Sequence, residues 1–393
     1  DPQRLEAGLL FELAHNLNNG HTFLGKPHLQ RLVETIKHFS AMYYLDKKIE
    51  NLHRIFDQNE RSSFLRLDLN ENPGGLPEDF IKDVMAKVTP RLVSQYPETL
   101  PFTEKLAEFL GTDISHLCLV NGSAEGIRYI IQAFTAPGGR IVGVVPSYFM
   151  FQVYSEMYGR NFIKVPYDED LSMNVDNIIK EITDDTQLLI LLNPNNPMGN
   201  VYSDEEFERI MERAREKQVT VLVDEAYHYF WPKTFIKYAL NQEHVFVTRT
   251  FSKLFSMAGC RLGYVVGWPD GVKMVQKLCT PHNTNAFAML LAENVISNPD
   301  VLNNLIEKFN EGRKYLTESL DSNGYAHKGC AGNFIFIKPK TDAEKIVAQM
   351  KSVKKILIKS YPNVGEFGTC LRVSIGERKY METFMDALLE LDK

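Results

Sequence analysis

Between residues 95 and 278, short apolar runs alternate with amphipathic stretches. The runs Leu117–Val120, Ile141–Val145, Leu188–Leu192, Val219–Val223, Val245–Val247 and Leu262–Val266 are rich in Val, Ile and Leu and read as strands buried on both faces. Asp204–Lys217, between two of them, repeats its apolar positions at helical spacing. Alternating β and α elements predict a mostly parallel sheet, with the ligand crevice beyond the carboxyl ends of its strands. After residue 279 the texture changes. One long helical region over Asn283–Asn323, strands near Phe334–Ile337, Ile356–Ile358 and Leu371–Ser374, and a final helix starting near Tyr380 predict a smaller α+β domain. Residues 1–60 also read as helical, from Leu29–Ile36 and Ile49–Ile55, and carry no chemical motif; they stand as an extension or linker.

Composition narrows the class. The 393 residues are 44% hydrophobic and 24% charged, enough for two domains and a large core. Lys+Arg 44 against Asp+Glu 50 gives a formal charge of −6, which offers no reason to expect a nucleic acid or an anionic membrane as partner. The five cysteines are scattered without metal spacing and read as reduced thiols, so no metal is expected. No run of about 18 apolar residues suggests a membrane span, and no basic-then-apolar segment opens the chain. The expectation is a cytoplasmic protein. The first residue is Asp1 rather than Met, which leaves processing or a longer parent polypeptide open.

Five motifs come directly after predicted strands, where the crevice rule puts a ligand. Arg249-Thr250-Phe251-Ser252-Lys253 has Arg261 eight residues beyond the lysine. A lysine amine forms a Schiff base with an aldehyde cofactor, and the hydroxyls and arginine suit the oxygens of a phosphate monoester. The combination points to pyridoxal phosphate (PLP); a surface lysine at a strand end is the plain alternative. Asn121-Gly122-Ser123-Ala124 opens a helix, whose free N–H groups suit a phosphate, with Ser123 as a candidate N-cap. Tyr148, in Pro146-Ser147-Tyr148-Phe149, either stacks on a flat ring or fills the core. Asn193-Pro194-Asn195-Asn196-Pro197-Met198-Gly199 is a sharp turn that aims Asn196 at the crevice, in reach of a phenolate oxygen. Asp224, in Asp224-Glu225-Ala226-Tyr227, ends a buried strand and needs a cation, which a protonated pyridine would supply, unless it is a helix cap or surface acid.

Together with Asn70-Glu71-Asn72-Pro73, Tyr96-Pro97 and Leu371-Arg372-Val373-Ser374, these motifs make the chain resemble the fold-type I PLP enzymes of the class I/II aminotransferase group. The similarity is greatest to the histidinol-phosphate aminotransferase-like branch and runs from Asn70 to the last helix. The resemblance implies a large domain, 95–278, with a mostly parallel seven-stranded sheet, a small α+β domain, 279–393, and an arm, 61–94, joining the latter. It implies that Lys253 carries PLP as a Schiff base and moves the proton at Cα, and that Asp224 pairs with the pyridine N–H. Asn196 and Tyr227 would hydrogen-bond the ring oxygen, Tyr148 would stack on the ring, and Ser123, Ala124, Thr250, Ser252 and Arg261 would surround the phosphate. Tyr96 resembles the tyrosine that reaches the neighbouring subunit's phosphate, which implies a homodimer with shared sites. Arg372 matches the arginine that clamps a substrate carboxylate, with Asn72, Asn333 and Lys359 on the substrate side.

The chain departs from the family pattern at Ala124, where Asp is usual, at Met198, where Thr is common, and at Lys359, where relatives acting on histidinol phosphate carry Arg. Lys354 and Lys355 lie near in sequence. The expected activity is transfer of an amino group between a donor such as glutamate and a small phosphorylated oxo compound. The alternative is decarboxylation of a phosphorylated amino acid of phosphoserine or phosphothreonine type on the same scaffold.

Overall fold

The computed structural model describes residues 46–50, 52, 60–329, 331–362 and 364–393. The chain divides into two units, 1–54 and 55–393. Of the first, one helical turn, Lys47–Glu50, is described; the predicted helix Leu29–Ile36 and most of Ile49–Ile55 lie outside the described residues.

In the second unit, strand β1 (Leu65–Arg66) precedes the strands of the large sheet. These are β2 (Leu117–Val120), β3 (Arg140–Val145), β4 (Asn161–Pro166), β5 (Thr186–Leu192), β6 (Thr220–Asp224), β7 (Val245–Thr250) and β8 (Gly263–Gly267). They lie in the order β2-β8-β7-β6-β5-β3-β4. The five strands from β7 to β4 run parallel, and β8 is antiparallel to both β7 and β2. The predicted seven-stranded, mostly parallel sheet is present. Every residue of β2, β7 and β8 is buried, including the polar Thr248, Arg249 and Thr250 that end β7. The strand that no apolar run announced is β4. It closes one edge of the sheet and buries only Val165, so its other positions are free to be polar.

Helices cover this sheet, and one local contact sets the site. Gly263 opens β8 where a Cβ would lie 2.6 Å from the Ser123 amide nitrogen and 2.7 Å from the Arg249 carbonyl oxygen. Only glycine lets β8 pass against the start of helix Ser123–Phe134.

A four-stranded antiparallel sheet makes the smaller body. Its strands are β9 (His327–Gly329), β10 (Phe334–Ile337), β12 (Lys359–Tyr361) and β13 (Cys370–Ser374), in the order β12-β13-β10-β9. A two-residue strand, β11 (Ile356–Leu357), pairs in parallel with β1, and Leu67 joins the small-sheet core with Ile335, Val373 and Phe384. The terminal helix spans Arg378–Leu391. The predicted strand near Ile356–Ile358 is the two-residue β11, and a second strand, β12, starts just past Ile358. The long helical region 283–323 is also two elements, Ala286–Ile296 and Pro299–Ser322. Asn298 caps the second by accepting from the Val301 N–H, and Pro299 at its first turn cannot continue the first. Ala288, Met289, Ala292 and Val295 pack into the core of the large sheet, so this helix, although past residue 279, serves the larger body. Among the described residues, no helix is long and apolar enough to cross a membrane.

Candidate active site

The carboxyl ends of β3, β5, β6 and β7, with the start of helix Ser123–Phe134, converge on a cavity of about 610 Å³. Its lining includes Ser123, Ala124, Tyr148, Asn196, Asp224, Tyr227, Thr250, Ser252, Lys253 and Arg261, and from the small sheet Lys359, Tyr361 and Arg372. All five motifs located after predicted strands meet there.

Asp224 and Glu225 stand side by side at the end of β6 and point to opposite faces. Glu225 is fully partnered: it accepts from Arg249 Nε at 2.9 Å and Nη2 at 2.7 Å, from Thr234 Oγ1 and from the Phe235 N–H. Asp224 is 2% exposed and accepts from Thr248 Oγ1 at 3.1 Å, but forms no ion pair among the described residues. Burial pushes its carboxyl up to about 7. It is neither a surface acid nor a helix cap.

Lys253 donates from Nζ to the Leu69 carbonyl oxygen at 2.9 Å and lies 5.8 Å from the Tyr227 ring centre. Burial lowers its ammonium to about 8, and the charges of Arg372 and Arg261 push the same way. The shift raises the share present as free amine, the form that attacks a carbonyl.

One end of the cavity is built from the start of helix Ser123–Phe134 and the turn after β7. Thr250 Oγ1 and Ser252 Oγ lie 2.9 Å apart, and Arg261 Nη1 donates to Ser252 Oγ at 3.4 Å. Gly122, not Ser123, is the N-cap, with φ 77°. A Cβ there would collide with Arg261 Nη2, so glycine is what admits the guanidinium. Ser123 and Ala124 then begin the helix, and their amides belong to its orphaned end.

Asn196 Oδ1 accepts from Arg372 Nη1 at 2.8 Å, and its Nδ2 has no acceptor among the described residues. Arg372 is 3% exposed; its Nη2 donates to the Asp68 carbonyl oxygen at 2.6 Å, and its guanidinium carbon lies 5.1 Å from the Tyr361 ring centre and 5.6 Å from that of Phe334. It has no carboxylate partner among the described residues. Lys359 is the register partner of Arg372 across β12 and β13. Burial, and then the Arg372 charge, lower the Lys359 ammonium.

Three expected residues lie elsewhere. Asn72 donates to Ser256 Oγ at 2.7 Å and accepts from the Gly74 N–H, so it shapes a turn beside the cavity rather than lining it. Asn333, 2% exposed, donates to the Asn70 carbonyl oxygen at 3.1 Å and stands behind that residue. Tyr96 is 78% exposed and stacks on His282 at 4.4 Å, away from the cavity of its own chain. Lys354 pairs with Glu390 and Lys355 lies over Phe64; neither lines the cavity. Tyr148 lines the cavity and meets Phe151 edge-on at 5.5 Å.

Two further lining residues have only faint sequence signals. Asn70, held at φ 56°, donates to the Tyr227 hydroxyl at 2.9 Å and exchanges hydrogen bonds with Ser374. Its signal is the first position of the Asn-Glu-Asn-Pro motif, since asparagine tolerates the left-handed region. Tyr361 lies two positions from Lys359 on one strand, and the period of two puts both on one face.

A seven-stranded sheet with a lysine, a buried unpaired carboxylate and a hydroxyl–arginine cradle at its strand ends defines a fold-type I aminotransferase framework. The family model for aminotransferase class I and II matches residues 62–388, and the chain belongs to that family. Its cofactor is pyridoxal 5′-phosphate, and the donor set fits it: Asp224 lacks the cation a pyridine N–H provides, and the cradle suits a phosphate. Histidinol-phosphate aminotransferase from Caldanaerobacter subterraneus subsp. tengcongensis is 32% identical over 333 residues, 83% of this chain and 92% of that protein. Among solved structures, histidinol-phosphate aminotransferase from Sinorhizobium meliloti in complex with pyridoxal-5′-phosphate has a TM-score of 0.80 at 22% identity, covering 90% of this chain and 98% of that one. The enzyme of the same name from Clostridium acetobutylicum has a TM-score of 0.75 at 24% identity, covering 84% and 99%.

Proposed function

We propose that this aminotransferase exchanges an amino group between a donor such as glutamate and a small phosphorylated oxo compound. The observation that carries the reading is the pair Arg372 and Lys359, opposite one another on adjacent strands and lining the cavity that holds Lys253. Two adjacent cations, neither ion-paired among the described residues, suit a substrate with two anionic groups, a carboxylate or its counterpart and a phosphate. The names of the relatives support a phosphorylated substrate.

When bound, PLP supplies the aldehyde that takes up the amino group and a ring that accepts the electron pair left at Cα. The chain's residues do the rest. Asp224 would accept the pyridine N–H and favour the protonated nitrogen. Asn196 Nδ2 and the Tyr227 hydroxyl, which Arg372 and Asn70 orient, would donate to the ring oxygen. Thr250, Ser252, Arg261 and the first amides of helix Ser123–Phe134 would hold the phosphate. Lys253, whose Nζ reaches into the cavity, would be the base that moves the proton at the substrate Cα. The exposed Tyr96 supports a homodimer in which this ring reaches the neighbouring site.

The test is a half-reaction. L-Glutamate added to purified enzyme should bleach the yellow absorbance of the bound cofactor, and a phosphorylated oxo compound should restore it. Release of CO2 from O-phosphoserine or O-phosphothreonine without any oxo acid would overturn the reading.

A further inference from the structure

Cys118 and Cys279 are 161 positions apart, yet their Sγ atoms lie 3.6 Å from one another. Cys118 sits within β2, the edge strand of the large sheet, and is 4% exposed. Cys279 comes after helix Pro269–Gln276 and is partly exposed. Both line a groove of about 280 Å³, together with Thr99, Leu119 and Asn283 and with none of the residues that line the cofactor cavity. The mechanism uses neither thiol.

We propose that the pair is an oxidisable dithiol, which a peroxide converts into an intramolecular disulfide fastening the segment after helix Pro269–Gln276 to strand β2. The two sulfurs have distinct roles. The hydrogen bond to Cys279, and then burial, push the Cys118 thiol up, and the same hydrogen bond pulls the Cys279 thiol down. Cys279, the more exposed, attacks the peroxide oxygen; the O–O bond breaks, its sulfur becomes a sulfenic acid, and water leaves. The Cys118 sulfur then attacks the sulfenic sulfur, the S–S bond forms, and the S–OH oxygen departs as a second water with the Cys118 proton. Two thiols lose two electrons and two protons, and hydrogen peroxide becomes two waters.

The geometry asks for little movement, because a disulfide needs its sulfurs about 2 Å apart. The segment is already held at the strand, with Asn283 Nδ2 donating to the Leu119 carbonyl oxygen at 3.0 Å. A link across so long a stretch of chain also constrains the unfolded state, so the oxidised protein should melt at higher temperature.

The test exposes purified holoenzyme to hydrogen peroxide, alkylates the remaining thiols under denaturing conditions, and maps peptides without reductant. A Cys118–Cys279 linked peptide, reversed by dithiothreitol and accompanied by a Tm several degrees higher, is the expected result. Cys279→Ser should give no such link and no shift. Linkage of either cysteine to Cys260, both thiols alkylated as before treatment, or Cys279 running on to sulfinic acid without a link would overturn the proposal. The wild-type map depends on no variant, so poor folding of Cys118→Ser leaves the outcome intact.

Discussion

Asn70 donates from its side-chain amide to the Tyr227 hydroxyl at 2.9 Å, and by the same residue the arm, the large sheet and the small sheet are joined. Its N–H donates to Ser374 Oγ, and its carbonyl oxygen accepts from Asn333. Asn70→Ala removes the buried side-chain bonds and leaves a β-carbon residue at φ 56°. The expected loss is about 2–4 kcal/mol of stability, read as a lower denaturation midpoint, together with a fall in kcat. Asn70→Gly loses the same bonds but accepts the backbone angle, so it should recover about 1 kcal/mol. A midpoint unchanged in Asn70→Ala would refute the tie.

Lys253→Ala should abolish the bound-cofactor absorbance and cut activity by about 10³-fold or more. In wild-type apoprotein, the rate of cofactor uptake should rise as pH approaches about 8, because the amine must lose its proton first. A rate flat across that range would remove Lys253 as the attacking group.

Asp224 costs the apoprotein stability as pH rises toward neutrality. Its folded-state value of about 7 stands above the ordinary 3.8, so the stability it contributes is full in acid and is lost as pH rises from about 4 through about 7. The apoprotein's Tm should fall over that window, and Asp224→Asn should flatten the fall. The same variant should bind PLP more weakly and transaminate far more slowly, measured by titration and by single-turnover kinetics.

Arg372 and Lys359 separate by substrate. Arg372→Lys should raise the KM for glutamate about 10- to 100-fold, since a point charge replaces a bidentate fork. Lys359→Ala should raise KM for a phosphorylated substrate and leave an unphosphorylated one nearly unchanged. Equal effects on both would place Lys359 outside phosphate recognition.

Gly122→Ala tests the cradle. Its Cβ would press on Arg261 and sit at φ 77°, so affinity for PLP should drop while the fold survives. Spectroscopic titration of the apoprotein measures it.

The strand ends are legible because a buried parallel strand writes itself as an apolar run, and the residues just past its carboxyl end face the crevice. Lys253, Asp224, Asn196 and Arg261 stand out in that way. The features that stay hidden depend on tertiary contact. β4 is an edge strand whose outer positions need no apolar side chain. Asn72 and Asn333 lie near the right place in sequence, but turn and packing aim their amides at Ser256 and at the Asn70 backbone. Cys118 and Cys279 meet only because helix Pro269–Gln276 returns the chain to the sheet edge. No local pattern carries that return.

One guanidinium joins recognition to chemistry. Arg372 donates to the Asn196 oxygen, and in the proposed function that bond would turn the amide toward the ring while the same guanidinium takes the substrate carboxylate. Selectivity and turnover would then draw on one side chain. A programme to retrain this enzyme for a new amino donor would be better directed at Tyr361 or Lys359, because a change at Arg372 also detunes the catalyst it was meant to redirect.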